Sequence, residues 1–71
     1  MNIRPKTAIV LTELRDEGFQ VAFIGGNMLR VSLNRPISTM EVEHALWQSG
    51  FESSQFSIVG RGEGQVIVEI I

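Results

Sequence analysis

The chain has 71 residues, no cysteine, 44% hydrophobic and 20% charged residues, and a formal net charge of −2 at pH 7. That length allows one domain with one core, burying only about 60% of the surface its unfolded form exposes. The lack of cysteine excludes a disulfide framework and thiolate-held zinc, so stability must come from apolar packing, with self-association an expected supplement.

From Pro5 to Glu17 the apolar residues Ala8, Val10, Leu11 and Leu14 fall at mostly helical spacing, with proline acceptable in the first turn and Gly18 as the stop. Phe19, Val21 and Phe23 then alternate with Gln20 and Ala22, Gly25-Gly26-Asn27 supplies residues that tolerate positive φ, and Leu29, Val31 and Leu33 alternate with Arg30 and Ser32. This pattern predicts a β-hairpin. Asn34-Arg35-Pro36 breaks the strand, and Ser38-Thr39-Met40-Glu41 reads as a capping box, the Ser38 hydroxyl and the Glu41 carboxylate each meeting an orphan backbone N–H. A second helix follows, with Val42, Ala45, Leu46 and Ser49 on one face and a stop at Gly50. Phe56 and Ile58, a Gly60-Arg61-Gly62-Glu63-Gly64 turn, and the alternating Val66, Val68 and Ile70 make a second hairpin.

At an offset of about 32 residues, Val10 matches Val42, Leu14 matches Leu46, Gly18 matches Gly50 and Phe19 matches Phe51. The chain therefore reads as two αββ units, 5–34 and 37–71, within one domain 1–71. Two hairpins and two amphipathic helices pack most simply as an α+β two-layer sandwich, an antiparallel four-stranded sheet with both helices on one face.

If Phe19, Val21, Phe23, Leu29, Val31 and Leu33 point at the helices, then Ala22, Ile24, Met28, Arg30 and Ser32 point away, joined by Ile67, Glu69 and Ile71. Such a face is apolar for open water, and an apolar strip beside Arg30 marks a docking or dimer surface. Trp47, the sole tryptophan, takes the place that Arg15 holds in the first helix, about 100° from the Leu46 core position. It is therefore expected to be partly exposed, where tryptophan serves as an interface anchor or seals a core rim. The Gly60 to Gly64 stretch lies between strands and not before a helix, so it reads as a hairpin tip presenting Arg61 and not as a phosphate cradle. His44 lacks Cys or Asp partners and falls on a solvated helix face. Glu13, Asp16 and Glu17 lie on a solvent face too, a candidate acidic patch. No nucleophile, base, metal cluster or cofactor fingerprint is visible, so no catalytic role, metal or cofactor is expected.

The stretch Leu11 to Leu46, with Leu14-Arg15-Asp16-Glu17-Gly18-Phe19 leading into a hairpin, Met28-Leu29-Arg30-Val31 and a capped helix from Ser38, resembles the TubC-type docking domains that open nonribosomal peptide synthetase subunits. The likeness covers about half of the chain; beyond it the family continues with another helix where this sequence reads as strands. It implies that the hairpin receives a short peptide by strand addition, with Met28, Arg30 and Ser32 at the second-strand positions facing it.

The expectation is a small non-catalytic interaction module, a docking, inhibitor or adaptor protein and a candidate homodimer. It would bind another protein or a short peptide through the outer face or edge of its sheet, with Ile24, Met28, Arg30, Ser32, Trp47 and Arg61 as contact residues. The size and acidity also fit a small protein of a phage or mobile element. The alternative is a nucleic-acid-binding regulator using helix 38–49 and the 60–64 hairpin tip. Against it, the basic residues are scattered, and that helix carries Glu41 and Glu43 but no Lys or Arg. No h-region follows the short basic start, and no apolar run approaches about 18 residues, so a cytoplasmic protein with no membrane partner is expected.

Overall fold

The computed structural model describes residues 2–62 and 64–71. Helix α1 (Pro5–Asp16) opens with proline at its first position, where the lost N–H costs nothing. It buries Thr7, Val10 and Leu14, residues spaced to share one face. Strands β1 (Gln20–Gly25) and β2 (Met28–Ser32) form the first hairpin. Helix α2 (Thr39–Gln48) buries Val42, Ala45 and Leu46. A single 3-10 turn (Ser53–Gln55) precedes the second hairpin, β3 (Phe56–Gly62) and β4 (Gln65–Ile70).

The four strands form one antiparallel sheet in the order β1-β2-β4-β3, so β2 and β4 are central and β1 and β3 are edges. The period-two side-chain alternation sends Val21, Leu29, Val31, Val66, Val68 and Ile70 to one side, where they form a single core with the buried residues of both helices. Among the described residues the other side carries no helix. This is the expected α+β two-layer arrangement, with one sheet face left open.

Both helices end in the same way. Gly18 (φ 100) and Gly50 (φ 93) supply the positive φ of a Schellman ending. The Gly18 and Phe19 N–H groups donate to the Arg15 and Leu14 carbonyls at 3.0 and 3.1 Å, and those of Gly50 and Phe51 donate to Trp47 and Leu46 at 3.0 Å each.

Two local expectations need correction, and one element was not foreseen. The glycine-rich turn is shorter than Gly60 to Gly64: Gly60, Arg61 and Gly62 belong to β3, paired with Ile67, Val66 and Gln65. Gly60 lies against the Ile67 side chain, where an added Cβ would sit 3.4 Å away, so this glycine serves a close approach and not a bend. Of the expected turn, Gly64 is the described residue that lies outside both strands, and Glu63 lies outside the described residues. The capping box of α2 is lopsided: the Ser38 hydroxyl accepts the Glu41 N–H at 3.3 Å, but the Glu41 carboxylate goes chiefly to the Arg35 guanidinium, with two contacts of 3.0 Å, and is only weakly drawn to the Ser38 N–H. A reciprocal box appears instead at the 3-10 turn, between Glu52 and Gln55, a turn the apolar pattern gave no sign of.

Candidate functional site

The open face is built from register. Across it, Ala22 pairs with Arg30, Arg30 with Ile67 and Ile67 with Gly60. One row toward the β1–β2 turn, Met28 pairs with Glu69 and Glu69 with Ser57; one row the other way lie Gln20, Ser32, Gln65 and Gly62. Alternation with the buried Leu29, Val31, Val66 and Val68 fixes the outward direction of these side chains.

Arg30 stands exposed in the middle of the face, while Ala22, Met28, Ser32, Ile67 and Glu69 are half-buried. Ile24 sits at the irregularity where the β1 register shifts between Phe23 and Gly25, and its side chain is 41% exposed. Four of the expected contact residues, Ile24, Met28, Arg30 and Ser32, thus come together. Ile67 and Glu69 complete their surroundings, and the alternation of the last strand was the signal for both. A shallow depression of about 190 Å³ lies beside Arg30, lined also by Gln20, Val21, Ala22 and Ser32. It is smaller than the roughly 300–1,000 Å³ typical of sites for small organic ligands, so this face suits a broad surface contact better than a bound metabolite.

Trp47 and Arg61 lie elsewhere. Trp47 belongs to the helical layer, 42% exposed, with its indole N–H donating to the Ser53 hydroxyl at 3.0 Å. Arg61 pairs with the core residue Val66 and therefore leaves the sheet on the helical side. There it lines an open groove of about 410 Å³ between α2 and the edge strand β3, with Thr39, Glu43, Ile58, Val59 and Gly60. His44 is exposed on α2, as expected.

The sheet edges differ in availability. β2 is flanked on both sides by strands, so the second-strand positions Met28, Arg30 and Ser32 offer side chains but no free backbone edge. At edge strand β1 the Arg15 guanidinium donates to the Val21 carbonyl at 2.8 Å, filling an acceptor that an added strand would need. Among the described residues no group of three or more His, Cys, Asp or Glu is placed to hold a metal ion.

The only ion pair among the described residues joins Arg35 to Glu41 at 3.0 Å. The hydrogen bond from Arg35 holds the Glu41 carboxyl below the ordinary carboxylate range; burial opposes this slightly, and the Arg35 charge and the Ser38 backbone N–H add smaller pulls downward. Arg30 and Glu69 have no such partner among the described residues.

Comparison with protein-family models, curated proteins and solved structures gave no match to this chain. No helix among the described residues is long and apolar enough to cross a membrane.

Proposed function

We propose that this chain is a small non-catalytic protein–protein interaction module, docking its partner through the open face of the sheet. The observation that carries the reading is the placement of Arg30: an exposed cation without an ion pair among the described residues, at the centre of a face where Ala22, Met28 and Ile67 beside it are apolar. An arginine flanked by apolar side chains, with a polar row to one side, has the composition of an interface centre and its rim, where the guanidinium provides orientation and the apolar area provides affinity. The resemblance of Leu11 to Leu46 to docking domains supports a docking role, through side chains and not through strand addition at β2, whose two edges are already paired. A docking, inhibitor or adaptor role in the cytoplasm is the setting we infer from the cysteine-free, mildly acidic sequence.

The test is capture by the tagged chain from a lysate of its own host, run in parallel with the Arg30→Glu variant. A protein retained by the wild type and lost from the variant, with an unchanged far-ultraviolet circular dichroism spectrum, is the expected result. Retention that is indifferent to the substitution removes the open face from the function. Retention on DNA or heparin that falls steeply with salt would replace this reading with nucleic-acid binding.

A further inference from the structure

We infer that the occupant of the open face is a second copy of this chain, laid sheet against sheet so that Arg30 of each copy meets Glu69 of the other. The inference rests on the docking reading above and names its partner. The described charged side chains directed to the open face are one cation and one anion, Arg30 on β2 and Glu69 on β4, on the two central strands and one row apart. Their other outward polar neighbours, Gln20, Ser32, Ser57 and Gln65, are neutral.

A two-fold interface brings a surface onto itself, so residue i meets j wherever j meets i. Charge restricts the simple orientations. An axis lying across the strands at the Arg30 row would stack Arg30 on Arg30 of the partner copy, a repulsive contact. An axis parallel to the strands, between β2 and β4, exchanges those two strands and places each Arg30 over Ile67 of the partner copy. Glu69 of the partner copy then stands two residues along the same strand, roughly 7 Å away, within the reach of an arginine. The alkyl stem of Arg30 covers Ile67 while its guanidinium meets the carboxylate, and the pair occurs twice.

The area is sufficient for a weak dimer. Four strands about 4.8 Å apart and six residues long make a footprint of roughly 400 Å² per copy. With side-chain relief, the two copies together bury about 1,000 Å², the lower limit of a specific interface. Dissociation in the micromolar range, on the order of 10–100 µM, is the corresponding expectation for a contact of this size that carries two charge pairs.

Sedimentation equilibrium of the full chain up to about 1 mM tests this, a range wide enough to detect such a dimer. The wild type should dimerise, and Arg30→Glu and Glu69→Arg should each weaken the dimer by about tenfold or more, because like charges then face each other twice. The double substitution R30E/E69R should restore dissociation to within about threefold of the wild type, as a charge swap across a two-fold axis requires. A monomer throughout the concentration range, a dimer indifferent to both single reversals, or a double variant no better than the singles would each overturn the inference. The docking reading fails separately: if the chain stays monomeric yet Arg30→Glu abolishes capture of another protein, the face is a docking site and only the second copy is wrong.

Discussion

The two joints between helix and sheet start alike and finish differently. In each half a helix ends on a Schellman glycine and delivers a phenylalanine to the edge of the core. In each, the residue that follows the last buried leucine reaches six positions ahead: Arg15 to the Val21 carbonyl and Trp47 to the Ser53 hydroxyl. In the first half the target is already strand, so the cation fills a backbone acceptor on edge β1. In the second half a 3-10 turn intervenes, the indole fastens that turn, and none of the described side-chain hydrogen bonds reaches the backbone of β3. The same joint can therefore close one sheet edge or leave the other bare, depending on whether the strand begins before or after the tethered residue.

The largest expected effect tests whether the two halves share one core. Leu14 and Leu46 occupy matching places and are fully buried. Truncation of either to alanine should cost about 2–5 kcal/mol, a large part of the stability available to a domain of this size. Urea unfolding of the two variants should give similar losses; a much smaller loss for Leu46→Ala would show that the second half packs more loosely. A smaller effect tests the tethers. Arg15→Ala should cost about 1 kcal/mol and, by freeing the Val21 carbonyl, promote association through β1 at high concentration. Trp47→Phe, which removes one solvent-accessible hydrogen bond, should cost less than about 1 kcal/mol and leave association unchanged. If both variants associate equally, the Arg15 contact does not guard the edge.

The smallest effect separates the linker from the joints. The Arg35 and Glu41 side chains are 62% and 35% exposed, so solvent screens their pair. Because the folded Glu41 carboxyl titrates below its unfolded value, its contribution is present above the unfolded value and is lost as pH falls through the folded one. Arg35→Ala should return the Glu41 titration, followed by NMR, toward the ordinary carboxylate range and slightly flatten the acid limb of the stability profile. An unchanged titration would mean that the pair is absent in solution.

Much of this architecture was legible because periodicity and punctuation agreed. Gly18 and Gly50 mark the helix ends, and the strict alternation from Leu29 to Val31 and from Val66 to Ile70 identifies the buried sheet face. The open face follows from the same parity, which is why Met28, Arg30 and Ser32 could be grouped before any coordinates. What escaped the sequence depends on partners distant along the chain or on chemistry without a period. Gly60 and Gly62 look like turn residues until Ile67 is seen lying against Gly60. The carboxylate of Glu41 fits a capping box until Arg35 competes for it. Arg61 separates from the open face because a bulge near Val59 shifts the register of β3, a feature without a hydrophobic signature, and Trp47 lies apart from it because α2 packs on the opposite side of the sheet.

Trp47 has a further use because the chain contains no second tryptophan and no tyrosine. Its indole is anchored where α2 gives way to the 3-10 turn, so near-ultraviolet emission comes from the second half alone, and the first hairpin and its helix are optically dark. Emission and far-ultraviolet dichroism should thus trace one unfolding curve if the halves melt together. A chain in which α1 and the first hairpin come apart first would lose ellipticity while its fluorescence stood still.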